Sequence, residues 1–407
     1  RGVYRGAMTL ASRPVAAGTT ALTHRERWRR ALAFQPVDHV PDEEFGYWDD
    51  TLRRWHEEGL PREIDTNAKA DVYFGFAPRR NVPVNVHMLP GFRERILEET
   101  GEHVLKVDAD GATCLVNRSG ASTIPRFLRY AIAGRADWEA LKARFDPADP
   151  RRYPADWDPV RRALAASEAP VGVNIGSLFG KPRNWIGFEQ IALLCYDDPG
   201  LIEEIVAALA DCIVGVLERT FAALGSEVRV DYGAGWEDIC FNSGPLISPA
   251  MARRFLLPHY RRIGEVLRRH GCEVAYTDCD GNILELIPIW HEAGIHGIFP
   301  IEVRAGSDPV LIRERWGREI VMLGGFDKMA FLEGREGLRR EMARIAPYVR
   351  EGGWIPHVDH RVPADVSLAD YRYYLALKRD TFGIPEPAPY EERRPPPIAR
   401  GAGAGGS

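Results

Sequence analysis

Six short apolar runs in the second half of the chain share one layout, and that layout constrains the fold more than any single motif. They are Val171–Ile175, Val228–Tyr232, Glu273–Thr277, Gly297–Phe299, Ile320–Leu323 and Trp354–Pro356. Each stops on a polar, charged or glycine-rich cluster, and most lead into a helical pattern. Strands alternating with helices predict a parallel α/β architecture. In a closed α/β barrel the carboxyl ends of different strands meet at one mouth, where the active site sits. The clusters hold Asp231, Glu237 and Asp238, then Asp278 and Asp280, then Glu302, then Asp327 and Lys328, then His357, Asp359 and His360. Their succession predicts one shared site.

With 407 residues the chain can form one barrel with additions or two smaller domains. A net charge of −5 and the lack of a basic block exclude a nucleic-acid partner from the expectations. The arginine clusters read as solvated helix faces. None of the six cysteines forms a CxxC pair, so reduced core thiols are expected. No apolar run reaches the ~20 residues of a membrane span, and no secretory signal is visible. The expected location is cytoplasmic, with Met8 a candidate start.

Residues 1–22 lack periodicity and are expected to be disordered. Order is expected from the capping box Thr23–Glu26 onward, through about residue 383, as a single barrel domain. Trp48, Leu52 and Trp55 mark a second helix. Between these helices, His39–Phe45 is a candidate first strand with an acidic exit. Residues 71–130 read as strands and turns, a β insertion near the mouth, with a hairpin around Ala109–Gly111. Pro199–Leu224 reads as a helix, and so does the stretch from Ser248-Pro249 to His270, closed by Gly271. Residues 384–407 read as a flexible tail.

Thr277–Asn282 is the sharpest local signal. Two carboxylates at one strand end, Asp278 and Asp280, can hold a cation or split their pKa values for acid/base work; Asp280-Gly-Asn282 also suits a turn and helix cap. Asp231, Glu237 and Asp238 would repel one another unless a cation, an arginine or a proton intervenes; an acidic loop paired to Arg253 or Arg254 is the other reading. His357, Asp359 and His360 can ligate a metal or act as acid and base, with Asp359 able to orient His360. Gly324 and Gly325 permit close backbone approach, and their amides with Lys328 suit an anionic ligand. An Asp327–Lys328 ion pair in a tight turn competes with that. Glu302 is a ligand or acceptor. No Walker loop, nucleophile elbow, HExxH or dinucleotide fingerprint is present.

The ordered run Glu237-Asp238, Gly244–Pro249, Phe255–Tyr260, Asp278–Asn282, Pro300–Glu302 with Ala305–Asp308, Gly324–Asp327 and Gly352–Pro356 resembles the uroporphyrinogen decarboxylase superfamily. The likeness spans about 165–383 and is weaker over 24–164. It implies a distorted (β/α)8 TIM-type barrel. True porphyrinogen decarboxylases carry an arginine-rich amino-terminal motif that grips substrate carboxylates. Here that region, Pro36–Phe45, is acidic and lacks it. The corrinoid-linked methyltransferase branch carries a zinc site of His-x-Cys and a late Cys. Those positions fall on Asp278, Asp280 and His360, so the donors have become carboxylates and histidine, a harder set suited to Mg²⁺, Mn²⁺, Fe²⁺ or Zn²⁺.

The resemblance thus implies a decarboxylase-type lyase acting on a small-molecule organic acid, not necessarily uroporphyrinogen. Asp278, His360, Glu237 and Asp238 are its candidate catalytic groups, and Asp278, Asp280 and His360 the candidate metal ligands. Glu302, Gly324, Gly325, Lys328 and Asp231 are candidates for substrate binding. Metal-free decarboxylation would need no cofactor. Methyl transfer with a corrinoid protein partner and a non-catalytic ligand-binding barrel are the alternatives. A homodimer is compatible with each.

Overall fold

The computed structural model describes residues 21–118 and 125–393. Seven strands form one parallel sheet: β1 (Arg80–Asn81), β6 (Val171–Gly176), β7 (Tyr232–Trp236), β10 (Val274–Asp278), β11 (Gly297–Phe299), β12 (Val321–Leu323) and β13 (Trp354–Ile355). Neighbours in the sheet follow chain order, and helices fill the crossovers, as a (β/α)8-type barrel requires. Between β1 and β6 lies an antiparallel sheet of β2 (Arg95–Glu99), β3 (His103–Val107), β4 (Thr113–Asn117) and β5 (Arg126–Arg129). The expected hairpin is its β3–β4 pair. A small ribbon, β8 (Cys240–Phe241) with β9 (Gly244–Pro245), follows β7.

Five of the six apolar runs coincide with barrel strands. The sixth is displaced. The ladder runs on Tyr232–Trp236, four residues beyond the start of the predicted run Val228–Tyr232. This strand holds two glycines, which single-residue propensity disfavours. Packing overrides that preference: a Cβ on Gly233 would sit 2.8 Å from Leu267. The predicted helix 249–270 is also two pieces, Pro249–Phe255 and Leu257–Arg269. Pro258 supplies no N–H to continue the first piece.

The eighth barrel position is taken by an extended strap, residues 36–47. Ala77 N donates to Asp42 O at 3.1 Å on the β1 side, and Val362 N donates to Gly46 O at 2.9 Å on the β13 side. The candidate strand His39–Phe45 is correct in place but forms no ladder; its neighbour Tyr47 makes a single bridge to Val362. Its acids are not a solvated exit. Lys378 Nζ lies 2.9 Å from Asp42 Oδ1 and 2.6 Å from Glu44 Oε1, Arg379 Nε lies 2.9 Å from Asp42, and Arg79 pairs with Glu43. Side-chain ion pairs therefore fasten the strap where backbone pairing does not.

The helix His24–Leu32, capped by Thr23, plugs the amino end of the barrel. Its Trp28 is fully buried and packs with Tyr232, Tyr276, Val321 and Leu323. Arg79 lies 5.5 Å from the ring centroids of both Trp28 and Tyr232. The tail is ordered further than expected. Tyr390–Arg393 is a short helix whose tyrosine packs on Tyr73, and Ile384 is buried. The expected disorder of 1–22 falls mostly outside the described residues, as does the remainder of the tail.

Asp71 lies in the helix Asn67–Phe74 near the strap's acids. Burial, then the Glu44 and Glu43 charges, push its carboxyl up to about 7. A raised carboxyl pKa means the folded state holds the proton more tightly, so stability falls as pH rises from the ordinary carboxylate range to about 7. Asp71→Asn is expected to raise the melting temperature at pH 8 and to leave it unchanged at pH 4. An equal shift at both pH values would contradict this electrostatic account.

Candidate active site

Alternation along β10 decides which side chains reach the mouth. Thr277 and Cys279 are buried, whereas Asp278 and Asp280 stand in the opening. His360 Nε2 lies 3.3 Å from Asp280 Oδ2. Ligand atoms of Asp280, Glu302 and His360 all lie within 4.8 Å of one another. Asp280 Oδ1 is buried and has no hydrogen-bond partner. A buried carboxylate oxygen left unsatisfied is costly, and this one belongs to a carboxylate that groups with two further metal-type donors. The three residues fit a divalent cation with a hard O/O/N donor set.

The loops that carry these groups are held from behind. Asp359 is fully buried and accepts from Val303 N at 2.9 Å and Lys328 N at 3.0 Å. It therefore fastens the Glu302 and Lys328 loops and does not orient His360. Burial pushes its carboxyl up to about 7, and Lys328 opposes that. Glu302 Oε2 accepts from Gly281 N at 3.0 Å, and its Oε1 lies 2.7 Å from Lys328 Nζ. Just before Glu302, Ile301 has φ 68°. A β-branched residue in that region stores ~1–3 kcal/mol of strain.

A cavity of about 410 Å³ opens beside this cluster, walled by Asp278, His87, Lys181, Trp236, Tyr276 and Phe299. Burial, then the Asp280 and Asp238 charges, push the Asp278 carboxyl up to about 8, against the pull of Arg361. The inserted sheet reaches this mouth. Asp110, in the β3–β4 turn, lies 3.0 Å from Lys181 Nζ and accepts from Asn184 Nδ2 at 2.9 Å.

Several expected residues stand elsewhere or do other work. Asp231 is at the amino end of the barrel, because β7 begins only at Tyr232, the residue on which the predicted run ends; it accepts from Val171 N and pairs with Arg25 at 2.8 Å. It cannot touch a ligand at the mouth. Glu237 is buried and spends its oxygens on the amides of Leu178, Phe179 and Gly180, tying down the turn after β6. Asp238 does face the cluster, paired to Arg183 at 3.1 Å; burial raises its pKa and Arg183 opposes this. Arg253 and Arg254 pair with Glu292 and Glu203, not with these acids.

Gly324 and Gly325 do adopt positive φ, 105° and 77°. Their amides, however, go to Ile355 O and Pro300 O, so they offer no anion nest. The close approach is internal: a Cβ on Gly324 would lie 2.0 Å from Pro300 O. Lys328 pairs with Glu302, and Asp327 with Arg304. The candidate trio Asp278, Asp280 and His360 is thus brought to one mouth, but Glu302 takes the third place in the cluster and Asp278 lines the cavity instead. Glu302, expected as a ligand or acceptor, is the member of the cluster that the candidate metal set left out. Lys181 and His87 lacked any local signal, since both depend on long-range packing.

A search of curated proteins found no match. Among solved structures, a methyltransferase from Methanosarcina mazei superposes with a TM-score of 0.56 at 16% identity, covering 88% of this chain and 99% of that one. At that identity the likeness concerns the fold. The family model described as uroporphyrinogen decarboxylase (URO-D) matches residues 109–379, which contain every member of the carboxylate–histidine cluster. On that match the chain belongs to the uroporphyrinogen decarboxylase family.

Proposed function

We propose that this protein is a decarboxylase-type lyase acting on an organic acid, with its reaction centre at Asp280, Glu302 and His360. The observation that carries the reading is the unpartnered Asp280 Oδ1 within that cluster. Asp280, Glu302 and His360 would hold a divalent cation, which when bound would offset the negative charge that develops as CO₂ departs. The chain's own groups do the rest. The bond between the substrate carbon and its carboxylate breaks, and the electron pair stays on that carbon. Asp278, on the cavity wall, returns a proton to it. Lys328 screens Glu302, and the aromatic wall of Trp236, Tyr276 and Phe299 limits water around the carbanion.

Elemental analysis of the purified protein, with CO₂ release measured over a panel of carboxylic acids, tests this. A near-stoichiometric divalent metal and chelator-sensitive CO₂ release are expected. CO₂ release untouched by chelation would move the chemistry to the acids alone, and none from any acid would defeat the lyase reading. Asp278→Asn separates the roles: metal content is expected to hold while turnover falls by about 10²–10⁴-fold, the usual worth of a positioned acid. Loss of metal in that variant would instead place Asp278 among the ligands.

Methyl transfer is the second reading, supported by the likeness to the Methanosarcina protein named a methyltransferase. It requires a corrinoid protein partner. Binding of a methylcobalamin-loaded carrier, with loss of its methyl group to a thiol, would favour it.

A further inference from the structure

The cations at the mouth are paired, with one exception. Lys181 pairs with Asp110, Arg183 with Asp238 and Lys328 with Glu302. Arg361, beside His360 after β13, makes no ion pair or hydrogen bond among the described residues. Its guanidinium carbon instead lies 5.8 Å from the Phe45 ring centroid and 5.3 Å from that of Trp48. It is half-buried there, next to an acid-rich mouth, yet no carboxylate comes within ion-pair reach.

Two further features surround it. Trp48 is 37% exposed on the rim and stacks on His360 at 5.4 Å. Phe45 packs on Phe299 at 4.5 Å, and Phe299 faces Tyr276 at 6.1 Å; the latter two wall the cavity. An aromatic surface therefore runs from Arg361 into the cavity. A guanidinium held against rings is pre-organised, and its free fork matches a carboxylate bidentately.

We propose that Arg361 anchors a carboxylate of the substrate, and that the substrate is an aromatic acid whose ring lies along the Trp48–Phe45–Phe299 surface. This deepens the reading above and rests on the mouth being the binding site. It also narrows the substrate. An ion pair to the departing carboxylate would be strongest in the ground state and lost as CO₂ forms, which raises the barrier. The anchored carboxylate is accordingly one that is retained, so the substrate carries at least two.

Calorimetric titration of the full chain with benzoate and with its neutral isostere benzamide tests the anchor without turnover. Benzoate is expected to bind the wild type and to bind Arg361→Gln about tenfold or more weakly, the worth of a charged hydrogen-bonded contact. Benzamide is expected not to distinguish the two proteins. Arg361→Lys, which keeps the charge without the fork, should fall between, and melting curves check that each variant is folded. Equal benzoate affinity in wild type and Arg361→Gln, or no binding to the wild type at millimolar benzoate, overturns the proposal. Asp280→Asn is expected to keep benzoate binding, so failure of the anchor and failure of the metal centre read out separately.

Discussion

Replacing Asp280 by asparagine is expected to strip the divalent ion from the protein and to lower turnover by about a hundredfold or more, with the fold intact. Asp280 Oδ1 is buried without a partner and its Oδ2 faces His360. Asparagine keeps the shape but not the charge that holds a hard cation. The same change relieves repulsion, because Asp278 and Asp238 both feel the Asp280 charge. Without metal, the variant is therefore expected to melt at or above the wild-type temperature. An inactive variant that is no less stable is the mark of a residue kept for chemistry at some cost to the fold. Unchanged metal content and turnover would remove Asp280 from the centre. A large drop in melting temperature would make it a structural turn residue.

The second large effect concerns the strap. Lys378 is 1% exposed and bridges Asp42 and Glu44. Lys378→Met leaves the buried Glu44 without its cation and Asp42 with Arg379 alone, and breaking such a pair costs about 3–5 kcal/mol. Chemical denaturation should register the whole loss in the midpoint, with little change in slope. Adding Glu44→Gln should recover part of it, since removing the orphaned charge is less harmful than stranding it. If Lys378→Met changes stability by less than about 1 kcal/mol, the strap is held by packing and not by these charges.

Much of the barrel was legible because its strands are short β-branched runs ending on charge. Val274–Asp278 follows that rule, and Gly297–Phe299 reaches its charge, Glu302, only after Pro300 and Ile301. Strand β7 does not, because its glycines answer to Leu267 and not to local preference. That offset carried Asp231 to the wrong end of the molecule. Glu237 was misread for a related reason. An acid next to a strand end can point into the mouth or back at a neighbouring turn, and only the turn after β6 decides which. Asp280 and His360 were legible as a converging pair. Arg361 was not, since its setting is made by Phe45 and Trp48, which come from the opposite end of the chain.

The strap has a consequence for descent. Asp280, Glu302 and His360 lie within the stretch matched by the family model, residues 109–379, whereas Phe45 and Trp48 stand outside it. The strap is fixed by ion pairs and a few backbone contacts and not by a ladder. Away from its paired acids Asp42, Glu43 and Glu44, its sequence can change without disturbing the register of the sheet. Two of the rings proposed to meet the reactant thus sit on a stretch of chain apart from the cluster, so a lineage could reshape that part of the surface while inheriting the centre and Arg361 unchanged.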